Sequence, residues 1–245
     1  MRLTISPSVA RGEIIAPPSK SASHRALIAG SLSEKSTIYG LGESNDINAT
    51  LNCLRVMGAK AELNGNTLDI GGLDPKNIPE CSIDCGESGS TLRFLIPLCL
   101  MSGNPVTLRG HGRLMQRPLT EYEQLCRENG FDYILRDDSL TVCGDLRGGE
   151  YKMSGERSSQ FITGMMFALP LLENKSTLTI TGNAQSLSYI MLTRQIIRIS
   201  ASALQEKATP SSSERSRNIT IWISPLREII PTVHFWRHSI SWAVM

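Results

Sequence analysis

Lys20, Ser21 and Arg25 follow the proline pair Pro17-Pro18 in the stretch PPSKSASHRALIAGSL. An ammonium, a hydroxyl and a guanidinium so close together suit the capture of an anion. Two prolines end an extended segment, because proline fixes φ and drives the residue before it out of the helical region. Ser19 stands at the N-cap position of a helix that runs on through Ala22 to Leu32. The start of a helix exposes unpaired N–H groups and the positive end of its dipole. Arg25 lies one turn beyond Ser21 on the same face. Two fixed cations and a hydroxyl are thus aimed at one place. Taken alone, the stretch also fits a capped surface helix with ordinary basic residues.

The same chemistry recurs twice. GESGSTLR opens a second capped helix with Ser88 and Ser90, and SSQF opens a third with Ser158 and Ser159. Ser21, Ser90 and Ser159 are 69 residues apart each time, and Gly58 to Gly130 is 72. The elements between these starts repeat as well. In the first unit a strand STIYG (36–40) leads to a helix from Asp46 to Met57, with Ile47, Leu51, Leu54 and Met57 on one face and Gly58 as its stop. A hairpin follows, AELNGNTLDIGG, turning at its Asn-Gly. The second unit has a strand PVTLRG (105–110), a helix from about Pro118 to Glu128 that turns Leu119, Tyr122 and Cys126 inward, a stop at Asn129-Gly130, and the hairpin DYILRDDSLTVCG. The third has helix FITGMMFALPLL, strand STLTITG (176–182) and helix SYIMLTRQII, after which the expected glycine stop and hairpin do not arrive. Such self-similarity means one α+β unit used three times, none able to bury its faces alone. Threefold packing brings the three helix starts to one end of the domain.

Composition removes several classes of function. The chain has 245 residues and a formal net charge of +2, enough length for a sizeable core and too little charge for a nucleic-acid or membrane-surface protein. Its apolar runs are short and broken by Pro97 and Pro170, so no membrane span is expected. MRLTISPSV lacks the apolar region of a signal peptide, which points to the cytoplasm. Cys53, Cys81, Cys85, Cys99, Cys126 and Cys143 include no C-x-x-C pair; they are expected to be reduced core residues, with no zinc site.

Five blocks, PPSKSASHRALIAGSL, GESGSTLRFLIPL, GRLMQRPL, SGERSSQFITGMM and SLSYIMLT, resemble those of the enolpyruvyl transferases in order and spacing, over residues 1 to about 197. Within that family they look most like the branch acting on shikimate 3-phosphate. The resemblance implies a mixed α+β fold, an inside-out α/β barrel, in which two similar domains of three units each enclose the substrates. Residues 1–17 would then be strands of the second domain, and 18–197 the first domain, in units of about 18–86, 87–155 and 156–197. The implied reaction moves the enolpyruvyl group of phosphoenolpyruvate to the 5-hydroxyl of shikimate 3-phosphate in the shikimate pathway. It releases phosphate through a tetrahedral intermediate and needs no metal or organic cofactor. The family is usually monomeric, and its ligands here are small molecules.

The implied roles fall on residues of the repeated starts. Lys20 would reach both substrates, and Ser21 and Arg25 would hold shikimate 3-phosphate. Ser158 and Ser159 would take its phosphate, with Gln160 by the ring and near phosphoenolpyruvate, and Ser186 and Tyr189 completing the pocket. Gly89 would let phosphoenolpyruvate approach backbone N–H groups, and Arg117 would contact it; Arg93 is as well explained as a brace. Lys20 and Arg117 are the catalytic pair of this half. His24 is expected to be a helix-face residue and His111 to have no part, since the family ascribes proton transfer to its C-terminal domain. The alternatives are the UDP-N-acetylglucosamine branch, which lacks the SKS-x-S-x-R and SSQF combination, and a non-catalytic anion-binding remnant.

Residues 198–245 break the pattern. All twenty glycines precede residue 198, while Trp222, Trp236 and Trp242 all follow it. If the last base of each codon is read with the first two of the next, 197–202 can encode TDFGIR, a glycine-stopped helix end. In the same frame 223–235 permits FTVEGDYSHSAF, similar to the family's EGD-x-S-x-A block. A base lost near codon 198 is therefore expected, giving a truncated chain with a frameshifted tail, no second domain and no turnover by itself.

Overall fold

The structure, a computed structural model, describes residues 4, 11, 17–65, 67–184, 186–200 and 219–223, with 199–200 and 219–223 as backbone alone. Most of the expected N-terminal strands and most of the tail, including Trp236 and Trp242, lie outside the described residues.

In the first unit, helix α1 (Lys20–Ser31) is followed by strand β1 (Ser36–Tyr39), helix α2 (Asn45–Val56) and the hairpin β2 (Lys60–Asn64) and β3 (Thr67–Gly71). The second adds a strand in front, β4 (Cys81–Asp84), then α3 (Gly89–Cys99), β5 (Val106–Arg109), α4 (Thr120–Asn129) and the hairpin β6 (Asp132–Leu135) and β7 (Ser139–Cys143). The third has β8 (Glu150–Ser154), α5 (Ser159–Ala168), β9 (Ser176–Thr181), α6 (Leu187–Ser200) and β10 (Ile219–Ile223). In the first hairpin Asn64 still belongs to the ladder, paired with Thr67, where the Asn-Gly reading had it in the turn.

The three capping expectations hold in detail. Ser19 accepts from the Ala22 N–H at 3.3 Å, Ser88 from Thr91 at 3.2 Å and Ser158 from Gln160 at 3.3 Å. Each satisfies one orphan donor and leaves the others facing out of the helix. At the other end of α4, Gly130 sits at φ 70°, a left-handed conformation natural to glycine, and closes the helix on the Cys126 carbonyl.

The sheets wrap the helices from outside. The second unit has strand order β4-β5-β7-β6, with β4 parallel to β5 and the hairpin antiparallel to it. The first has β1-β3-β2 and the third β8-β9-β10. Strands β4 and β8, which the sequence reading passed over, are the ones that deliver the chain to the starts of α3 and α5. CSID and EYKMS hold one β-branched residue between them, where the equally short β1 (STIY) and β5 (VTLR) hold two each, so they give little strand signal. The core lies between sheets and helices: α3 and α5 pack on one another, α5 on α6, α6 on α1 and α1 on α2.

The α3–α5 contact is built around a proline. Pro97 has no N–H for the carbonyl of Arg93, four residues back, so that oxygen needs another donor. The buried Tyr122 hydroxyl lies 2.7 Å from it, and 3.0 Å from the Phe161 carbonyl of α5. Gly164 permits this closeness, since a Cβ there would come within 2.6 Å of the Arg93 carbonyl.

The third sheet departs from the expectation that no hairpin follows α6. Ile221 of β10 pairs with Leu178, as Leu68 pairs with Ile38 and Leu140 with Leu108. One hairpin strand is thus present in the register of its counterparts, and among the described residues none stands for β2 or β6. Hydrogen exchange of the full chain checks this at the backbone: amides within Ile219–Ile223 that pair with β9 should be protected to about the same degree as those of β9. Uniformly unprotected amides there would mean that β10 is not seated beside β9.

Candidate functional site

The inner helices are buried almost throughout, and their exceptions are at their starts. In α3 every residue but Ser90 is buried, in α5 every residue but Gln160, and in α1 only Lys20, Ser21 and Ala22 escape. Three helix dipoles and these polar side chains therefore share one end of the domain.

At the start of α3 the chain brings two guanidiniums together. A Cβ built on Gly89 would lie 2.8 Å from Arg117 Nη1 and 3.2 Å from Arg93 Nη1. Arg93 donates from Nη1 to Gln160 Oε1 at 2.7 Å and from Nη2 to the Pro118 carbonyl at 3.1 Å. Gln160 in turn donates to Ser90 Oγ at 2.9 Å. Arg93 also lies over the Phe161 ring, 5.1 Å from its centre, and its Nε is buried with no partner. Among the described residues neither Arg93 nor Arg117 forms an ion pair with a carboxylate. Burial first, and then the Arg117 charge, pull the Arg93 pKa below its ordinary value. Two like charges held together without an anion make a strong positive field at a helix start.

At the start of α1, Lys20 Nζ is 2.7 Å from Asp46 Oδ2, at the start of α2. Arg25 turns inward and is 2 % exposed. Its Nε donates to Thr193 Oγ1 at 2.7 Å, Nη1 to the Ser21 carbonyl at 2.8 Å, and Nη2 to Thr163 Oγ1 at 3.2 Å and the Tyr189 carbonyl at 3.4 Å. Four of its five N–H groups are thus used inside the protein, and burial pulls its pKa down to about 10. The exposed Tyr189 ring lies 5.7 Å from the guanidinium. The structure thus joins Gly89, Arg117 and Gln160 with Ser90 and Arg93, and joins Arg25 with Tyr189. Lys20 stands by Asp46, Ser158 caps α5, Ser159 is buried behind that cap, and Ser186 lies in the turn before α6.

A model of the EPSP synthase (3-phosphoshikimate 1-carboxyvinyltransferase) family matches residues 6–214. This chain belongs to that family. It is 42% identical over 203 residues to 3-phosphoshikimate 1-carboxyvinyltransferase of Clostridium perfringens (strain SM101 / Type A), covering 80% of this chain and 47% of the relative. It is 39% identical over 209 residues to that of Clostridioides difficile (strain 630), covering 80% and 48%. The chain spans about half the length of the curated relatives it matches. A solved EPSP synthase from Acinetobacter baumannii has the same fold, with a TM-score of 0.68 at 21% identity over 90% of this chain and 48% of that one.

For a family site, several polar residues here were not singled out from the sequence. Asp46 pairs with Lys20, Thr50 and Thr91 bond to one another and to His24, and Thr163 and Thr193 hold Arg25; no local pattern marks any of them. A groove of about 970 Å³ lies elsewhere, between α4 and β8, and none of the expected site residues lines it. It is lined by Glu121, Glu128, Asp132, Asp145 and Glu150 against Arg147 and Lys152, a net negative charge that does not suit an anion. Among the described residues no helix is long and apolar enough to cross a membrane.

His24 lies on α1 as expected, and the face it occupies is turned inward. It is buried, with Nδ1 2.7 Å from Thr50 Oγ1. Burial, aided by Lys20 and Arg25 and opposed by Asp46, pulls its pKa down from 6.5 to about 4. Between those values the unfolded chain binds a proton that the folded chain refuses, so stability falls as pH drops through this window. The fall attributable to His24 is expected to reach about 2–3 kcal/mol by pH 4.5. His111 is shifted upward by Asp84 but is fully exposed, so it offsets little. The urea midpoint should fall less between pH 7 and pH 4.5 in His24→Gln than in the native chain; an equal fall would mean that His24 is not held neutral.

Proposed function

We propose that this chain binds shikimate 3-phosphate and phosphoenolpyruvate as part of an enzyme that transfers the enolpyruvyl group to the 5-hydroxyl and releases phosphate. The observation that carries this reading is the pair Arg93 and Arg117 against Gly89, two cations at a helix start with no carboxylate partner among the described residues. Both substrates are phosphorylated carboxylates, so a site for them must offset several negative charges in a small space.

In this reading Arg117, with the N–H groups beside Gly89, holds phosphoenolpyruvate, and Arg93 braces Gln160 beside it. Lys20 lies between the substrates and offsets charge on the departing phosphate; Asp46 fixes its direction. Ser158 and Ser159 hold the phosphate of shikimate 3-phosphate, Gln160 meets its ring, and Ser21, Arg25, Ser186 and Tyr189 close the pocket. The substrate 5-hydroxyl gives up its proton as its oxygen bonds to C2 of phosphoenolpyruvate, and C3 gains a proton. The adduct then loses phosphate from C2 and a proton from C3, restoring the double bond. Charge offset and alignment are the contributions of the residues here. His24, buried and bonded to Thr50, takes no part in either proton transfer. The ligands are small molecules, the setting is cytoplasmic, and neither nucleic acid nor a membrane is involved.

Calorimetry of the full chain tests this directly. Shikimate 3-phosphate should bind, and phosphoenolpyruvate should bind less tightly in Lys20→Met and Arg117→Ala by at least about tenfold. Binding of UDP-N-acetylglucosamine instead would move the chain to the other branch, and no heat with any of the three would overturn the reading. Gly89→Ala tests the close approach separately. Its methyl must displace the Arg117 guanidinium, so phosphoenolpyruvate affinity should fall by about tenfold while the urea midpoint stays within error.

A further inference from the structure

Four buried polar side chains, none of them assigned a role in binding, form a continuous chain across three helices. His24 Nδ1 on α1 lies 2.7 Å from Thr50 Oγ1 on α2, which lies 2.7 Å from Thr91 Oγ1 on α3. Thr91 Oγ1 in turn lies 2.7 Å from Ser88 Oγ, the cap of α3. None of the four is more than 1 % exposed. A row of hydroxyls in an apolar interior is costly unless every proton has a destination, so the protons can be followed one by one.

Ser88 Oγ already accepts the Thr91 N–H, and it accepts the Thr91 hydroxyl proton as well. Thr91 also has the Asp46 carbonyl within reach, but at 3.5 Å against 2.7 Å; having given its only proton to Ser88, it can only accept from Thr50. Thr50 has an alternative acceptor in the Asp46 carbonyl, but at 3.1 Å against 2.7 Å. With the Thr50 proton committed to Thr91, Thr50 Oγ1 must accept from His24, which places the imidazole proton on Nδ1. The other ring nitrogen, Nε2, is buried without a partner. A bare lone pair is tolerated there more readily than an orphaned N–H. The one proton in the chain not used within it belongs to the Ser88 hydroxyl, next to Gly89.

We propose that the chain His24–Thr50–Thr91–Ser88 is a positioning device for the anion site: it fixes His24 as the Nδ1–H tautomer, holds α1, α2 and α3 at one relative height, and presents the Ser88 hydroxyl as a donor at the start of α3. It rests on the reading of that start as the phosphoenolpyruvate site. Ser88, Thr50, Thr91 and His24 are positioning residues, acting through the backbone of Gly89 and Ser90 and through the Lys20–Asp46 pair at the neighbouring starts.

The test uses the full chain labelled with ¹⁵N-histidine. Imidazole shifts at pH 7 should show Nδ1 protonated and Nε2 bare for His24, and Thr91→Val, which cuts the chain, should perturb them although it touches no histidine. Phosphoenolpyruvate affinity should fall about fivefold in Thr91→Val and return to within about twofold of native in Thr91→Ser, which restores the hydroxyl. Should Thr91→Val fail to fold, Ser88→Gly keeps an acceptable helix cap and removes the last acceptor, with the same losses expected. A His24 protonated on Nε2, or a folded Thr91→Val with native shifts and native affinity, overturns the proposal. If the native chain takes up no phosphoenolpyruvate, the functional reading falls by itself, and the tautomer and its response to Thr91→Val still decide whether the chain exists as described.

Discussion

A guanidinium is most costly where water cannot reach it, and Arg25 and Arg93 are only 2 % and 9 % exposed. Neither is paired with a carboxylate among the described residues. Both are held instead by neutral oxygens and aromatic faces: threonine hydroxyls, backbone carbonyls, Gln160, Phe94, Phe161 and Tyr189. This choice decides much else. A carboxylate would settle the charge more cheaply, but it would also neutralise the field that a bound anion needs. Neutral partners orient the cation and leave its charge in place. The hydroxyl-rich faces of α5 and α6, with Thr163 and Thr193 turned inward, follow from the same requirement.

The helices can lend their interiors to this task because the sheets close the outside. Each unit buries a helix on nearly all sides, which one amphipathic stripe could not do. The equivalent pairing of Ile38 with Leu68 and Leu108 with Leu140 shows the same sheet face meeting the same side of the helix layer in both complete hairpins. With that geometry repeated, three capped starts end at one level without any loop having to place them. A site built from secondary-structure ends is stiffer than one carried on loops.

Much of this was legible in the chain. The three Ser caps, the glycine stop at Gly130, the strands β1, β5 and β9 and the polar residues at each start all follow from short-range chemistry, which sequence records directly. What was not legible depends on partners distant in sequence. Thr50 sits on a face that reads as apolar from Ile47, Leu51 and Leu54, and only its neighbours His24 and Thr91 explain a hydroxyl there. Arg25 reads as an outward fork by its position on the first turn; its burial depends on Thr163 and Thr193, well over a hundred residues away. His24 gives no local sign of whether it faces water or core. The strands β4 and β8 are no shorter than β1 and β5 but are poor in β-branched residues, and their place is set by pairing with β5 and β9 rather than by local pattern.

The strand β10 shows the converse case, in which the pattern suffices although the sequence around it has changed character. ITIWI has β-branched residues at alternate positions and no proline or glycine, which is all that pairing beside β9 asks. Its neighbour β9 offers STLTIT, with its alternate residues buried. A strand at that place is specified by register and alternation rather than by identity, because a one-residue slip would reverse every side chain. The helix starts are the opposite: replacing Ser88 or Gly89 changes an acceptor or a close contact that no neighbour can supply. The two kinds of position tolerate change differently, and that is why the sheet can accept a segment foreign to the repeat while the site cannot.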